Sequence, residues 1–299
     1  MQNDNLKNYL HLHLLVFIAG FTAILGELIS ISAIKLVWYR MVIASILMFL
    51  YLKLKKINLK ITSKLFVRFS LAGIIIALHW VTFFEAIKQS NISITLAMFS
   101  SGAFFAAFIE PIFYKRKIRG YEILFGITVI LGVCLIVQAE IKYINGIILG
   151  ILSALFSSMF AVINGKFVEK SKASVISFYE FISGVFFLSL FILIFGLGFE
   201  SGFFNLSLLD WKYILVLGSI CTAYAFIAGV HVMKKINPYT VVLTFNLEPV
   251  YGIVLAFLLF PEKEKMSIEF YIGAILIIST VICNGILKNS NKLKRKPSR

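Results

Sequence analysis

Residues 91–99, Asn-Ile-Ser-Ile-Thr-Leu-Ala-Met-Phe, have a counterpart 146 residues later in Asn-Pro-Tyr-Thr-Val-Val-Leu-Thr-Phe at residues 237–245. Both segments begin with Asn, end with Phe and carry hydroxyl residues in a mainly apolar run. Weak similarity at so long an interval indicates an internal repeat. The chain is therefore predicted to consist of two units, residues 1–140 and residues 141–299.

Two further pairs of segments support this repeat. They are Tyr-Glu-Ile-Leu-Phe-Gly at 121–126 with Ile-Glu-Phe-Tyr-Ile-Gly at 268–273, and Trp-Tyr-Arg-Met at 38–41 with Phe-Tyr-Glu-Phe at 178–181. The first pair is separated by 147 residues and the second by 140. Because the identities are few, the repeat rests on the agreement among these intervals and on the number of apolar segments.

The composition predicts that both units lie in a membrane. Of 299 residues, 60% are apolar and 14% are charged, whereas soluble domains have about 45–50% apolar and about 25% charged residues. Apolar runs long enough to cross a bilayer as helices lie at about 11–30, 35–54, 69–88, 91–113, 120–138, 144–165, 174–197, 212–233, 239–260 and 268–287. The sequence therefore predicts an all-α integral membrane protein with ten transmembrane helices, five in each unit.

The distribution of basic residues predicts the orientation. If the N-terminus is cytoplasmic, the inner segments hold 22 of the 29 Lys and Arg residues, and the outer loops hold 6. Because positively charged loops remain in the cytoplasm, both termini are predicted to be cytoplasmic, in a multi-pass protein of the cytoplasmic (inner) membrane. The net charge of +15 then reflects topology, and no nucleic-acid partner is expected. A lipid-binding or nucleic-acid-binding patch at residues 288–299 is the alternative.

The odd number of helices in each unit predicts an inverted repeat. Five crossings leave the chain on the opposite side, so the second unit enters the membrane upside down relative to the first. Inverted repeats of this kind are typical of secondary transporters, whose substrate site lies near the midplane where the repeats meet. The sequence therefore predicts a carrier for a small molecule that works by alternating access.

Several tracts resemble the EamA family of the drug/metabolite transporter superfamily. They are TFNLEPVYGIVLAFLLFPE at 244–262 followed by GAILII at 273–278, VWYRMVIA at 37–44 and CTAYAF at 221–226. The resemblance covers essentially the whole chain. It implies a ten-helix carrier whose fifth and tenth helices lie away from the central cavity, and a role in exporting amino acids or other small metabolites. The fourth span departs from the family pattern, because Ser-Ser-Gly at 100–102 stands where the family usually has a Pro.

Polar residues near the middle of the spans mark the predicted site, because an ionisable side chain there costs about 2.5–3.5 kcal/mol on insertion scales. The candidates for substrate binding or coupling are Glu248, Asn246, Tyr224, Trp80, His79, Ser100, Ser101, Thr244 and Tyr251. Thr244, Glu248 and Tyr251 have the spacing of one helix face, and Pro249 frees a backbone carbonyl beside them. Glu248 is predicted to bind a coupling proton or a substrate ammonium group, and the alternative is a neutral packing residue at the proline kink.

Other ionisable residues are predicted nearer the membrane surfaces. The candidates for gates or ion pairs are Arg40, Glu27, Glu85, Glu180 and His231. Arg40 and Glu27 are expected at similar depths in the outer leaflet, where they could pair, either as a gate or as a static link between the first two helices. The inverted repeat relates Arg40 to Glu180 and Glu85 to His231, which suits an outer and an inner gate, and a purely structural role is the alternative. With Arg40 placed in the outer leaflet, the central belt has no cation, which disfavours substrates with several negative charges.

Missing motifs exclude other classes of protein. The chain has no G-x-x-x-x-G-K-[ST] tract for nucleotide phosphates, and no G-x-S-x-G or H-E-x-x-H motif of a hydrolase. Its only aspartates, Asp4 and Asp210, lie outside the predicted spans, and its three cysteines lack C-x-x-C spacing. No enzyme activity, cofactor or metal is therefore expected. A channel, or an uncharacterised intramembrane enzyme that uses His79 and Glu248, remains the alternative. The expected partners are a small-molecule substrate and the lipid bilayer, with proton coupling left open and a monomer favoured.

Overall fold

The computed structural model describes residues 2–195, 198–199, 201–233, 235–236, 244–245 and 247–293. The first unit contains α1 (Gln2–Leu28), α2 (Ala33–Leu54), α3 (Ser63–Gln89), α4 (Ile92–Phe99), α5 (Gly102–Tyr114) and α6 (Gly120–Ala139). The second contains a 3₁₀ turn (Ile141–Tyr143), α7 (Ile144–Phe167), α8 (Ala173–Ile194), α9 (Ser201–Phe204), α10 (Leu208–Gly218), a π-helical segment (Ser219–Tyr224), α11 (Ala225–Met233), α12 (Glu248–Leu259) and α13 (Ile268–Leu293). Within the described ranges, all regular structure is helical.

Eight helical stretches in the described part of the chain are long and apolar enough to cross a membrane. Two of them combine several helices: Ile92–Tyr114 comprises α4 and α5, and Leu208–Gly229 comprises α10, the π-helical segment and the start of α11. Two shorter apolar helices, Glu248–Leu259 and Ile268–Asn284, lie where the ninth and tenth spans are predicted. The observed architecture is that of an all-helical, multi-pass membrane protein.

Two serine hydroxyls mark the turn between α4 and α5. Ser100 Oγ donates to the Leu96 carbonyl oxygen at 2.8 Å, and Ser101 Oγ donates to that of Met98 at 2.6 Å. Hydroxyl groups that bond to the preceding turn compete with the backbone hydrogen bonds and often bend a helix. The fourth predicted span is therefore two helices rather than one.

Glycines allow two pairs of helices to approach closely. A Cβ atom on Gly73 of α3 would lie 2.2 Å from the Glu180 carbonyl oxygen of α8, and one on Gly132 of α6 would lie 2.9 Å from the Gly273 carbonyl oxygen of α13. Small residues at such crossings are typical of helix packing in membranes. As a result, the backbones of α3 and α8 touch beside the centre of the bundle, and α6 and α13 pack against each other.

Hydrogen bonds join the helix connections at one end of the bundle, which we call the tied end. The Glu264 carboxylate, between α12 and α13, accepts hydrogen bonds from the backbone N–H groups of Ile92 at 3.0 Å and Ser93 at 2.9 Å. These groups begin α4, where free N–H groups and the helix dipole favour a negative charge. The neighbouring Lys263 forms an ion pair with Glu27 at the end of α1. The α12–α13 connection is therefore linked to both α1 and α4.

The α1–α2 connection is held at the same end. Asp210 accepts hydrogen bonds from the backbone N–H and the hydroxyl group of Ser30, both at 2.7 Å. Lys88 donates to the Ile29 carbonyl oxygen at 3.0 Å. The short helix α9 also packs here, because the Phe203 ring lies 5.7 Å from that of Tyr39 in α2. Polar links and aromatic rings together close this end.

The opposite end carries its own charged cluster around Arg116, which lies between the candidate spans Ile92–Tyr114 and Gly120–Ala139. Arg116 donates to Glu122 at 2.7 Å and to Glu110 at 3.2 Å. Its hydrogen bond to Glu122 raises the pKa of Arg116 above its usual value. The α5–α6 connection is therefore fixed by a cation between two carboxylates.

Candidate substrate cavity

A cavity of about 590 Å³ lies between the two predicted units. Its wall consists of Leu15, Ala19, Thr22, Arg40, Ile76, His79, Trp80, Phe83, Phe99, Ser157, Phe160, Ala161, Asn164, Val168, Ala173, Ile176, Ser177, Glu180, Cys221, Ala225, Phe226, Gly229, Phe245 and Glu248. Both units contribute to this wall, mainly through α1 to α4 and through α7, α8, α11 and α12. No lining residue comes from α6 or α13 as far as the structure describes them, which is the arrangement that the family resemblance implies for the fifth and tenth helices.

The lining residues reach one end of the bundle and stop short of the other. Val168 and Ala173, which flank the α7–α8 connection, both line the cavity. In the opposite direction the lining of α1 and α3 ends at Thr22 and Phe83, roughly two helical turns before these helices reach the tied end. The cavity therefore extends toward the α7–α8 connection and is closed at the tied end.

Arg40 is the cation of the cavity. Its side chain is only 4% exposed, and its Nε donates to Thr222 Oγ1 at 2.8 Å. The guanidinium carbon lies 3.9 Å from the centre of the Trp80 ring, a cation–π geometry worth about 0.5–2 kcal/mol. The Nη1 atom has no hydrogen-bond partner. Arg40 is thus held in place by Thr222 and Trp80, while its Nη1 group donates no hydrogen bond.

The predicted pairing of Arg40 with Glu27 is wrong. Glu27 pairs with Lys263 at the tied end, whereas Arg40 faces the cavity one helix away. Arg40 lies seven residues after the start of α2, about 10 Å along a helix, and it lines the same cavity as Glu180 and Glu248. The cavity therefore contains a cation, contrary to the expectation for the central belt.

Two carboxylates, Glu180 and Glu248, also line the cavity. Glu180 of α8 is 1% exposed, and its carboxylate has Asn164 of α7 as a side-chain hydrogen-bond partner. Its Oε1 atom has no partner. Glu248 begins α12 and is close enough to Arg40 to interact with it electrostatically. Glu180, predicted as a gate residue near the inner surface, therefore lines the same cavity as Arg40 and Glu248.

His79 and Trp80, both candidates from the sequence, line the cavity. The Nδ1 atom of His79 lies 2.9 Å from Ser153 Oγ of α7, and its ring stacks on that of Phe99 at 5.4 Å. Trp80 packs between Arg40 and the ring of Phe181, whose centre is 5.7 Å away. His79 thus links α3 to α7, and Trp80 forms an aromatic wall.

The two predicted site tyrosines are not among the lining residues. The hydroxyl oxygen of Tyr224 lies 2.8 Å from His11 Nε2, and that of Tyr251 lies 3.1 Å from His13 Nδ1. Both histidines belong to α1, so these tyrosines face α1 rather than the cavity. The sequence spacing places Tyr251 and Glu248 on the same helix face. Of these two residues, only Glu248 lines the cavity.

Four other predicted residues also lie away from the lining. Ser100 and Ser101 are buried and bonded to their own helix, and the adjacent Phe99 lines the cavity instead. Glu85 accepts a hydrogen bond from Gln89 near the end of α3, and Thr244 is not a lining residue. The remaining candidates, Asn246 and the side chain of His231, lie outside the described residues.

Sequence reasoning missed five polar lining residues, Thr22, Ser157, Asn164, Ser177 and Cys221, and the Thr222 hydroxyl that holds Arg40. Of these, Asn164 could have been recognised from the sequence, because an amide within an apolar span is costly without a partner. The others are small and common in apolar helices, so only packing shows their role. Among the described residues, no three His, Cys, Asp or Glu side chains gather where they could hold one metal ion.

Comparison with known proteins agrees with this geometry. The family model described as EamA-like transporter family matches residues 6–138 and again residues 144–286. The chain belongs to the EamA-like transporter family. An "uncharacterized transporter" of Clostridium kluyveri is 26% identical over 219 residues, which cover 70% of this chain and 69% of the relative. A crystal structure that shares 14% sequence identity has a TM-score of 0.63 and covers 94% of this chain and 98% of its own.

These similarities fix the class of the protein. An EamA-like chain with several long apolar helices is a multi-pass membrane protein and a transporter. The likeness to the crystal structure, at 14% identity, shows the fold alone. One family model matches each half of the chain. Residues from both matched regions line the cavity.

Proposed function

We propose that this EamA-like protein is a secondary transporter that exports small metabolites, such as amino acids, across the cytoplasmic membrane by alternating access. One observation carries the proposal. A closed-ended cavity with one arginine and two carboxylates is built jointly by both halves of the chain. A site between repeats near the middle of the bundle is typical of secondary transporters.

The proposed topology has ten transmembrane helices in two inverted five-helix repeats, with both termini in the cytoplasm. It is supported by the repeated family match at residues 6–138 and 144–286 and by the excess of 22 over 6 basic residues on the side assigned to the cytoplasm. In this orientation, the tied end faces outward and the α7–α8 connection faces the cytoplasm. The structure then corresponds to an inward-facing carrier.

The alternation of access follows from the polar links at the tied end. The contacts of Glu264 with α4 and of Lys263 with Glu27 lie at connections rather than within the apolar interior. Lys263 is 53% exposed, and an exposed ion pair contributes only about 0–1 kcal/mol, whereas the buried Glu264 would need other hydrogen-bond donors when its contacts with α4 break. We infer that the outward-facing carrier breaks these links and closes the α7–α8 end.

The charges of the cavity bear on the substrate and on coupling. Arg40 provides a binding site for a carboxylate, and Glu180 and Glu248 can each take a proton or an ammonium group. A substrate with one positive and one negative group, such as an amino acid, satisfies these groups. The chain carries these groups within one cavity, so we propose a monomer as the transporting unit, with proton coupling through a carboxylate.

Purified protein in liposomes tests this function. Vesicles loaded in turn with groups of small metabolites should accumulate the matching labelled compound by counterflow, and the accumulation should saturate with concentration. The E248Q variant, which fixes one carboxylate as neutral, should retain counterflow and lose its response to a pH gradient if Glu248 carries the proton. Single-channel currents would support a channel instead, and product formation would support an enzyme.

A further inference from the structure

Glu180 combines two properties that a structural carboxylate in a membrane protein normally lacks. It is 1% exposed, and its Oε1 atom has no hydrogen-bond partner although it lines a cavity. Buried charges in proteins are normally paired or fully hydrogen-bonded, because an unpaired one is costly. An acceptor that is buried without a partner beside a cavity would gain a hydrogen bond from a ligand that reaches it.

The backbone that carries this side chain is tightly packed. Glu180 lies where α8 touches α3, since a Cβ atom on Gly73 would come within 2.2 Å of the Glu180 main-chain carbonyl oxygen. Asn164 of α7 lines the same cavity and interacts with the Glu180 carboxylate. A side chain on a tightly packed backbone loses less entropy when a ligand binds.

The ionisable groups of the cavity leave Glu180 without a cation. The acidic and basic side chains in the described lining are Arg40, His79, Glu180 and Glu248, and the ring of His79 is hydrogen-bonded to Ser153. Arg40 interacts electrostatically with Glu248, donates a hydrogen bond to Thr222 and lies over the rings of Trp80 and Phe84. If Arg40 offsets Glu248, the cavity has one carboxylate in excess, and that carboxylate is Glu180.

The surrounding wall suits an apolar molecule with a positive group. Beside Glu180, the ring of Phe181 lies 5.7 Å from Trp80 and 5.0 Å from Phe226, and the last two line the cavity. Aromatic faces attract cations as well as apolar groups. A protonated amine on an apolar or aromatic body therefore fits both the charge and the surface.

We propose that Glu180, together with Asn164, is the binding site for a protonated amino group of the substrate, so that the carrier selects molecules bearing a primary amine. This assignment rests on the proposed transport function. The amine N–H donors would bond to Oε1 of Glu180, and the apolar body would lie on the aromatic wall. The amine, rather than the carboxylate that Arg40 could bind, then decides which molecules enter.

Three probes that share one apolar body test this proposal by direct binding. 2-Phenylethylamine, 2-phenylethanol and 3-phenylpropionate carry a positive, a neutral and a negative group. Binding to the purified full-length protein in lipid nanodiscs is measured by calorimetry. The parent protein should bind the amine at least about tenfold more tightly than the alcohol, the gain typical of a hydrogen bond to a charged group. Equal or tighter binding of the propionate would overturn the proposal.

Matched variants localise the effect. In E180Q, the preference for the amine over the alcohol should disappear, while E85Q, which is outside the cavity lining, should keep it. An amine preference that persists in E180Q, or that disappears equally in E85Q, would refute the assignment. If E180Q does not fold, N164A should weaken amine binding without changing alcohol binding, and equal amine binding in N164A would again refute it.

The binding assay is independent of transport. If the protein shows saturable counterflow of another metabolite but does not bind the amine, the transport function is supported and the amine site is refuted. If the protein binds the amine through Glu180 but shows no counterflow with any metabolite, the amine site is supported and the transport function is refuted.

Discussion

The environment of Arg40 shows why a buried arginine is tolerated in this apolar bundle. Its contacts with Thr222 at 2.8 Å and with the Trp80 ring at 3.9 Å replace part of the hydration that the guanidinium loses. The sequence identifies Arg40 as exceptional, because a charge inside a span is costly. It does not identify its partners, since Thr222 lies 182 positions away on a helix whose packing against α2 is a property of the whole fold.

Replacing Arg40 by Lys should reduce transport even though the charge remains. A lysine is a compact point charge and lacks the planar face that stacks on Trp80 and the fork of donors that includes Nε. We expect counterflow to fall by about tenfold or more, in line with the loss of a hydrogen bond from a charged group. R119K, outside the cavity, serves as the control, and parental counterflow rates in R40K would contradict this role.

A double-mutant cycle distinguishes the observed partner of Glu27 from the one predicted by sequence. Glu27 pairs with Lys263, which is 53% exposed, so E27Q and K263Q should show a coupling of at most about 1 kcal/mol in unfolding free energy. E27Q and R40Q should be additive within about 0.5 kcal/mol, because the two side chains do not touch. Thermal unfolding in detergent measures both, and strong coupling of Glu27 with Arg40 would restore the original prediction.

At the scale of the helices, the apolar runs predict the positions of most helices but not the points at which a helix is interrupted or changes type. The fourth span divides at Ser100 and Ser101, and the eighth changes to a π-helix at Ser219–Tyr224. The π-helical segment includes Thr222, whose hydroxyl bonds to the Leu217 carbonyl oxygen five residues earlier. Segments of this kind are frequent at functional sites, and here the segment brings Cys221 to the cavity and Thr222 to Arg40. Hydropathy averages over such local changes and therefore does not detect them.

Adding one methyl group at the α3–α8 crossing should disturb the core. In G73A, the new Cβ atom would meet the Glu180 carbonyl oxygen at 2.2 Å, so the helices must separate at a cost of about 1–3 kcal/mol. G120A is the matched control, because no atom lies within 4 Å of its added Cβ. Thermal unfolding should show a lower midpoint for G73A than for G120A, and equal midpoints would show that the crossing is not tightly packed.

At the scale of the whole molecule, the charge bias predicts which connections face the cytoplasm. In a background without native cysteines, K56C and K117C should be shielded from a membrane-impermeant thiol reagent in intact cells. K142C, at a side chain that is 68% exposed, should be labelled. The opposite pattern would invert the topology and assign the tied end to the cytoplasm.

Much of the architecture could be predicted from sequence because it depends on apolar content and on the repeat. The repeat at 91–99 and 237–245 anticipates the double family match. The site was predicted less well. Glu248, His79 and Trp80 line the cavity, but Tyr224 and Tyr251 face α1, and Glu180, predicted as a gate residue, lines the cavity as well. Depth and facing depend on where each helix starts and on its neighbours, which a linear pattern does not contain.

The central claim is that the cavity opens to one side of the membrane at a time. Cys221, a buried lining residue, reports this directly in a variant in which Cys134 and Cys283 are replaced by Ser. A small membrane-impermeant thiol reagent should label Cys221 at least about tenfold faster in inside-out vesicles than in right-side-out vesicles, because the cavity extends to the α7–α8 connection. Equal labelling from both sides would indicate a continuous pore and contradict the account.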